Sequence, residues 1–457
     1  MRDSGPISAA TSCCRPWGKP ARHTKVLLLL FIQLELINKE AAFVSSAGPG
    51  RGSNSVNLRL YNERMLLQRL RRAGEASKAD LARWAQLTNT AVGSIVQSLE
   101  ESRLIELAGK RQEGQRGQPA GLYRINPDGA YGIGVRLDRT SIETVLIDLG
   151  GRILAREAHD QLLPHPEQAL AIVRKDVVRL MATLDGPQRR RFMGVGLAQP
   201  YNLGSWLREL DLKADFRIWD DVDFGAMLEQ AIGQPVFKEN DGNAAAIAEL
   251  FFGVGREESD FLYVFLGAAL GAGAVMGGES LRGASGNAAD LGLMPVPPST
   301  LASAPASERR WDILLARASL NSLARHLRHH GIPARNHAEL EASVRAGRPE
   351  VDEWLDDCVA ALVLSVRATL AVLDLPAVVI DSDIDAGLID RLIQRVDAGL
   401  RLIAPESRQT PRLLRGSFRA DAGAIGAASL PMFFNFSPRA DVLRGRSHRS
   451  MLEDAHV

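Results

Sequence analysis

The sequence predicts an α/β protein that begins with a small helical unit carrying a β hairpin. Three observations predict this fold class. Helix patterns with capping residues and then two short strands occupy residues 56–128, and strands alternate with helices from residue 130 onward. At Pro235–Gly253 a strand passes directly into an alanine-rich helix. A chain of 457 residues is long enough for two or three domains.

The composition is that of an ordinary globular protein. Hydrophobic residues make up 46% of the chain and charged residues 24%, and the net charge is +1. Any nucleic-acid surface must therefore be local. The three cysteines, Cys13, Cys14 and Cys358, are too few for a disulfide scaffold or a cysteine-based zinc site. This cysteine usage fits a reducing cytoplasm, and we expect a cytoplasmic protein without a membrane segment.

Residues 1–55 form a separate segment at the start of the chain. Basic residues precede the apolar run Val26–Ile32, which is superficially similar to a signal peptide. The run is too short to span a bilayer as a helix. We therefore expect residues 1–55 to be a disordered leader or the result of a misassigned start, with a targeting signal as the alternative.

Residues 56–128 predict three helices followed by a hairpin. The first helix covers roughly Leu58–Ala73. The second begins at Ser77, which forms a capping box with Asp80. The third covers Asn89–Glu101, and its N-cap is Thr88. Two strands follow, at 104–108 and 121–125, joined by a glycine-rich basic loop. This order is typical of a winged helix-turn-helix.

The exposed face of the third helix carries short or amide side chains that can reach base edges in a major groove. Basic side chains of the loop can contact phosphates or enter a minor groove. The predicted DNA-binding residues are Thr88, Asn89, Thr90, Ser94, Gln97, Lys110, Arg111 and Arg116. The alternative is a helical bundle with a solvated hairpin.

The strand-to-helix junction at Glu239-Asn240-Asp241 is the main candidate site. In α/β folds, ligands bind where strands end and helices begin. A carboxylate there can bind a ligand or act in catalysis. Asn and Asp are also good N-cap residues, so a structural role for Asn240 or Asp241 is the alternative.

These motifs together resemble the ROK family, named for repressors, open reading frames and kinases for sugars. The resemblance rests on the meander that starts at Tyr131, the loop ending Gly117-Gln118-Pro119, and Glu239-Asn240-Asp241 with its alanine-rich helix. It covers the chain from about residue 56 to about residue 430. It implies an actin-like, sugar-kinase two-lobed α/β fold preceded by a winged helix-turn-helix domain.

The resemblance also implies a division of the chain. We expect a DNA-binding domain at 56–128, and a first lobe made of 129–240 plus 416–435. The second lobe would cover 241–415, and 436–457 would be a disordered tail.

In the kinases of this family, a hairpin of the form Asp-x-Gly-x-Thr holds the ATP phosphates, but here Arg136 and Asp138 replace its Asp and Gly and only Thr140 remains. The second phosphate loop, Gly-Thr-Gly-x-Gly, corresponds to Gly267–Gly273, which lacks the hydroxyl and one glycine. Asp381-Ser382-Asp383 replaces the Gly-Gly that contacts adenosine. Phosphoryl transfer depends on positioning these phosphates. We therefore expect no kinase activity and no cofactor.

The sugar site is partly kept. Asn240 and Asp241 match the pair that contacts sugar, and in a kinase Asp241 would be the general base. Asp290 and Leu293 replace the Glu and His of Glu-x-Gly-His. The family's zinc-binding cysteines are replaced by Pro295-Val296-Pro297-Pro298, so no metal is expected.

The predicted ligand-binding residues are Asn240, Asp241, Asp290 and Asn202, and Asn202 lies in a loop that would form a second wall of the site. In the same region Trp206 and Trp219 could stack on a sugar, or be core residues. Asp290 could equally be a helix cap.

The resulting expectation is a transcriptional regulator of carbohydrate metabolism, most simply a repressor. Its partners would be a double-stranded DNA operator, a small carbohydrate effector and further copies of itself in a homodimer or homotetramer. One alternative is an ATP-dependent sugar kinase with a DNA-binding head. Another is a DNA-binding protein whose lobes only oligomerise.

Overall fold

The structure is a computed structural model. It describes residues 55–111, 120–205, 207, 212–305, 310–404, 406 and 409–445, except for the side chain of Arg111. Within this part of the chain, no helix has both the length and the apolar character needed to cross a membrane.

The first part of the described chain, residues 55–125, is a small α/β unit that we call the head. Its elements are α1 (Ser55–Ala73), β1 (Glu75–Ser77), α2 (Lys78–Ala85), α3 (Asn89–Glu101), β2 (Ile105–Arg111) and β3 (Ala120–Ile125). The strands form an antiparallel sheet in the order β1-β3-β2. The helices bury a shared core that includes Leu66, Leu81, Val92 and Ile95.

Two predicted helix starts in the head are confirmed, at Ser77 and Thr88, whereas α1 begins at Ser55 and not at the predicted Leu58. The Ser77 hydroxyl accepts from the Asp80 amide, and the Asp80 carboxylate accepts from the Ser77 amide, so the capping box is present. Thr88 caps α3 through the amide of Ala91. Strand β1 was not predicted, because three residues are too few to show an alternating pattern.

The next elements build a five-stranded sheet. They are β4 (Tyr131–Asp138), β5 (Ser141–Asp148), β6 (Ile153–His159), α4 (Pro166–Thr183), α5 (Gly186–Arg189), β7 (Phe192–Gln199), α6 (Phe224–Ile232) and β8 (Val236–Asn240). The strand order is β6-β5-β4-β7-β8. Strands β4, β5 and β6 are antiparallel neighbours, whereas β4, β7 and β8 run parallel.

A second five-stranded sheet follows. The elements from this point are α7 (Asp241–Phe252), β9 (Phe261–Leu266), β10 (Leu270–Met276), β11 (Glu279–Ser280), β12 (Pro295–Val296), β13 (Asp312–Ile313), α8 (Leu320–His329), α9 (His337–Arg345), α10 (Pro349–Leu373), β14 (Ala377–Ser382), α11 (Ala386–Leu402), β15 (Arg412–Arg415), α12 (Ala422–Phe436) and α13 (Ala440–Leu443). The sheet order is β11-β10-β9-β14-β15, with β9, β14 and β15 parallel.

The two sheets therefore share one plan: an antiparallel meander of three strands and then two strands parallel to its first strand. Helices α7 and α12 pack against each other, α12 against the first sheet and α7 against the second. Both helices are rich in alanine and glycine, and small side chains allow this close approach. A Cβ built on Gly426 would lie 2.8 Å from the amide nitrogen of Ala245, so a larger residue there would separate the helices.

Two segments differ from the sequence predictions. The sequence also predicts a helix around Arg310–His330, but α8 begins only at Leu320, where Ser319 forms a capping box with Ser322. Disorder was predicted for 436–457; residues 446–457 lie outside the described part of the chain, but within 436–445 α13 forms at Ala440–Leu443 and buries Val442. The helix is too short for its apolar pattern to stand out in a charged segment.

Candidate functional site

A cleft of about 1120 Å³ opens between the two sheets. Asp138, at the end of β4, and Asn240, at the end of β8, line it from the first sheet. Gly267 and Asp383, which follow β9 and β14, line it from the second. Both sheets thus present the carboxyl ends of parallel strands to one space, which is where open α/β folds bind ligands. The four predicted ligand-binding residues all line this cleft: Asn202, Asn240, Asp241 and Asp290.

Asn240 is the N-cap of α7. Its Oδ1 accepts from the amides of Gly242 at 2.8 Å and Asn243 at 3.3 Å. Its Nδ2 donates to Oδ1 of Asn287 at 3.1 Å, and Nδ2 of Asn287 donates to Asp290 at 2.9 Å. The N-cap role is therefore confirmed for Oδ1 of Asn240. Its amino group and the Asp290 carboxylate belong to a hydrogen-bonded chain along the cleft wall.

Asp241 is the first residue of α7, and its Oδ1 accepts from the amide of Gly242 at 2.8 Å. Burial raises the pKa of Asp241 above the ordinary value of an aspartate, and the carboxylate of Asp138 raises it further. The guanidinium groups of Arg136 and Arg139 and the Gly242 amide oppose this rise. Asp241 is therefore a hydrogen-bond acceptor in the cleft whose charge responds to its neighbours.

Arg136 introduces a positive charge where the first hairpin enters the cleft. Its Nη2 pairs with Asp138 at 3.0 Å. Burial opposes the charge on Arg136, but the nearby carboxylates of Asp138, Asp241 and Asp383 outweigh it, so its pKa is raised. The side chain crosses Gly423 at the start of α12, where a Cβ would come within 2.6 Å of the Arg136 Cδ. Arg136 thus serves as a fixed internal counter-ion.

The loop that holds Asn202 is tied down from two sides. Arg139 donates to the carbonyl of Asn202 at 3.1 Å, and the Asp220 carboxylate accepts from the Gly204 amide at 2.7 Å. The Asn202 side chain itself is exposed to the cleft. Trp219 is a core residue with 3% exposure, so its structural alternative is confirmed. Trp206 lies outside the described residues.

Asn287 and Arg139 line the cleft and hold predicted contact residues in place, but neither was among the predicted ligand contacts. Asn287 links Asn240 to Asp290, and Arg139, which is 6% exposed, holds the Asn202 loop. Asn287 lies in the run that matches Glu-x-Gly-His, and this position was the available signal. No sequence signal pointed to Arg139, because its partner is a backbone carbonyl of a distant loop.

The segments compared with phosphate and adenosine loops also reach the cleft. Gly267–Ala269 is a tight turn closed by a bond from the Gly267 amide to the Ala269 carbonyl at 3.0 Å. Asp381 is buried, with 1% exposure, and accepts from the amide of Arg419 at 3.0 Å. Asp381 therefore anchors the start of α12, and its carboxylate is already occupied by protein donors.

The predicted DNA-binding residues of α3 are exposed together: Thr88, Asn89, Thr90, Ser94 and Gln97. Two of them also have local partners, since Thr88 caps the helix and Gln97 donates to Glu101 at 2.9 Å. Lys110 is exposed near the end of β2. The Arg111 side chain and Arg116 lie outside the described residues.

The head is packed directly onto the rest of the molecule. Leu104, Ile125 and Phe436 each contact both the head core and the core around α7 and α12. Arg72 donates to the carbonyls of Arg256 and Glu257, just beyond the end of α7. The head therefore contacts the same helix, α7, whose first residue lines the cleft.

These features define a two-lobed protein of sugar-kinase-like fold with a winged helix-turn-helix before the lobes. The chain belongs to the ROK family, whose model matches residues 132–432.

Sequence similarity to known proteins extends beyond residues 132–432. An uncharacterized protein of Sinorhizobium fredii, y4fQ, is 28% identical over 381 residues, which cover 82% of this chain and 91% of that protein. The xylose repressor of Bacillus spizizenii is 26% identical over 238 residues, which cover 51% of this chain and 60% of the repressor. A crystal structure described as a ROK family transcriptional regulator, homolog of the E. coli MLC protein, aligns with a TM-score of 0.63 at 20% identity, over 85% of this chain and all of that one. At 20% identity, this similarity shows a shared fold.

Proposed function

We propose that this chain is a DNA-binding transcriptional repressor of carbohydrate metabolism that responds to a sugar bound in the cleft. Helix α7 is the observation that carries the proposal. It begins with Asp241 in the cleft, and in its last turn the ring of Phe251 contacts Arg71 of the head. A ligand that favours one position of α7 also favours one position of the head. The xylose repressor among the relatives supports this reading.

We assign one function to each of the domains expected from the sequence. Residues 56–128 bind an operator, and the lobes 129–240 plus 416–435 and 241–415 bind the effector between them. Asn240, Asp241, Asp290 and Asn202 contact sugar hydroxyls. The ligand changes DNA affinity only through unequal binding to two arrangements of the head and lobes. A homodimer or homotetramer places two heads on two operator half-sites.

The residues around the hairpin oppose phosphoryl transfer. Arg136 and Asp138 form an ion pair in the cleft, at the positions that the family resemblance assigns to the Asp and Gly of the kinases' phosphate-binding hairpin. The Asp381 carboxylate already accepts a hydrogen bond from the Arg419 amide, in the loop before α12. We therefore propose that the cleft senses sugar without ATP and without a cofactor.

A sugar kinase with a DNA-binding head is the second candidate. The position of Asp241 favours it, since a carboxylate with a raised pKa in a cleft can serve as a general base. Under this candidate Asp241 is catalytic. Formation of ADP from ATP with a hexose or pentose, at a rate typical of kinases, would replace the repressor proposal.

The decisive experiment combines a ligand screen with DNA binding. Free aldoses including D-xylose, ketoses and sugar phosphates are screened by thermal shift on the full chain. A stabilising sugar is then added to gel-retardation assays with DNA that flanks the gene. We expect one sugar to raise the melting temperature and change retention, and Asp241→Ala to weaken its binding by about 10–100-fold, as loss of a charged hydrogen-bond acceptor does. Retention without any stabilising sugar would favour lobes that only oligomerise.

A further inference from the structure

Two histidines and a glutamate converge where α8 packs against α10. His326 and His330 are one helical turn apart, at the end of α8, and Glu353 lies in the first turns of α10. One nitrogen from each imidazole and one carboxylate oxygen all lie within 4.8 Å of one another. Two histidines at this spacing present their rings on one side of a helix, an arrangement typical of zinc sites. The cluster lies outside the sugar cleft, whose lining residues on α8 are Leu320, Asn321, Ala324 and Arg328.

The buried histidine of this cluster has an unsatisfied ring nitrogen. His326 is 2% exposed, and its Nε2 makes no hydrogen bond with any described residue. Its nearest acidic atom, Oε2 of Glu353, lies 3.5 Å away. That separation is long for a direct hydrogen bond. Two ligands of a tetrahedral zinc ion, each about 2.0–2.1 Å from the metal, are roughly 3.3–3.4 Å apart. The observed distance is therefore closer to that of two ligands of one ion than to that of a hydrogen-bonded pair.

The other ring nitrogen of His326 is already held. Its Nδ1 lies 2.7 Å from the hydroxyl oxygen of Ser303. When Nδ1 donates its proton to Ser303, the lone pair is left on Nε2, the nitrogen that lies 3.5 Å from Oε2 of Glu353. A metal-binding histidine is usually oriented by such a second hydrogen bond.

The two helices are fixed relative to each other one turn before the cluster. The indole of Trp354 donates to the hydroxyl of Ser322 at 2.8 Å, and both groups are buried. Ser322, His326 and His330 follow one stripe of α8 that faces α10. The spacing between the buried imidazole and α10 is therefore set by the fold. Glu353 and His330 are exposed and can adjust their side chains to an ion.

We propose that His326, His330 and Glu353 bind a zinc-type divalent cation. Imidazole and carboxylate ligands suit Zn²⁺, and solvent would complete its tetrahedral coordination. The sequence predicts no metal, because the cysteines of the family's zinc site are missing. The proposed site uses different ligands, and Glu353 is separated from the two histidines along the chain and meets them only in the fold. The ion would clamp α8, which lines the cleft, to α10.

The test is calorimetric titration of the full chain, freed of metal by chelation, with ZnCl₂. We expect one ion per chain. His330→Ala and Glu353→Gln should each weaken binding by at least about 100-fold, and Ser303→Ala by about 10–100-fold, as loss of an orienting hydrogen bond does. His330→Ala and Glu353→Gln change exposed side chains, so the fold should be kept. Circular dichroism verifies this. Titration with CoCl₂ should give the strong visible absorption of a tetrahedral ion.

His329→Ala is the matched control, because His329 is an exposed neighbour on α8 that is not part of the cluster. It should bind zinc as the unchanged chain does. Equal zinc affinity in the unchanged chain, His330→Ala and Glu353→Gln would place the ion elsewhere and overturn the proposal. Absence of stoichiometric binding by the unchanged chain would overturn it as well. Neither result depends on whether the cleft binds sugar.

Discussion

The guanidinium of Arg71 lies 3.5 Å from the centre of the Phe251 ring. Arg71 belongs to α1 of the head, and Phe251 lies in the last turn of α7, the helix that starts at Asp241 in the cleft. Burial lowers the pKa of Arg71 to about 9, and the nearby charges of Arg72 and Arg256 add to this effect. The face of an aromatic ring stabilises such a cation. Arg71 and Phe251 therefore connect α1 of the head directly to α7, the helix whose first residue lines the cleft.

Arg71→Met should weaken that link while keeping apolar bulk against Phe251. We expect sugar binding and operator binding to persist separately. The factor by which sugar changes operator affinity, commonly about 5–150-fold in coupled systems, should fall toward one. Fluorescence anisotropy with labelled operator, with and without sugar, measures it. Arg69→Ala, an exposed change on the same helix, is the control. Full coupling in Arg71→Met would show that the head senses the ligand by another route.

The affinity for sugar should decrease as the pH falls from about 7 to about 5. Sugar hydroxyls donate to the Asp241 carboxylate, and protonation removes that acceptor. Because burial and Asp138 raise the pKa of Asp241, protonation begins at a higher pH than for an ordinary aspartate. Calorimetry across this range measures the effect. Asp241→Asn should bind more weakly and lose most of the pH dependence; the remainder would come from Asp290 and Glu143, whose pKa values burial also raises. An unchanged pH profile would contradict a direct role for Asp241.

Gly134→Ala should destabilise the protein by at least about 2 kcal/mol, because it overpacks a rigid contact. A Cβ at Gly134 of β4 would lie 2.6 Å from the carbonyl oxygen of Ala424 and closer still to the amide nitrogen of Ala428, both in α12. Backbone atoms cannot move aside as a side chain can. Urea unfolding measures the loss. The control is Gly186→Ala, where a Cβ meets nothing within 4 Å and the change should stay within about 0.5 kcal/mol.

Lys110→Ala should weaken operator binding by a similar factor for all DNA sequences. If Lys110 contacts a phosphate, its removal lowers the magnitude of the slope of log affinity against log salt by about 1. Asn89→Ala on α3 should instead reduce discrimination between operator and unrelated DNA. Lys175→Ala is the charge-matched control, since Lys175 is exposed on α4, outside the head. A salt slope unchanged by Lys110→Ala would remove this residue from the interface.

The sequence predicted the parts of the fold that rest on local signals. Ser77 and Thr88 marked helix starts because their hydroxyls bond to amides three residues away. The strand and turn residues after Tyr131 indicated the meander that forms β4, β5 and β6. Local sequence signals are therefore sufficient to locate the head and the first sheet in the sequence.

The site was harder to predict, because its contacts are not local. Arg139 donates to the backbone carbonyl of Asn202, and Asn287 joins Asn240 to Asp290 along the cleft wall. His326 and Glu353 come together only through helix packing. Spacing along the chain does not reveal the pairs Arg139–Asn202 and His326–Glu353. The dual role of Asn240, as helix cap and network member, also required coordinates.

The position of α12 has a consequence for synthesis of the protein. This helix covers glycines of β4 and β7, among the first strands of the lobes, yet it begins only at Ala422. A ribosome must therefore translate nearly the whole chain before the first sheet can bury that face. We expect nascent chains stalled before residue 422 to remain sensitive to protease throughout 129–240, and chains released after residue 445 to become resistant. Chaperones that shield exposed sheet faces would then be needed for most of the time on the ribosome.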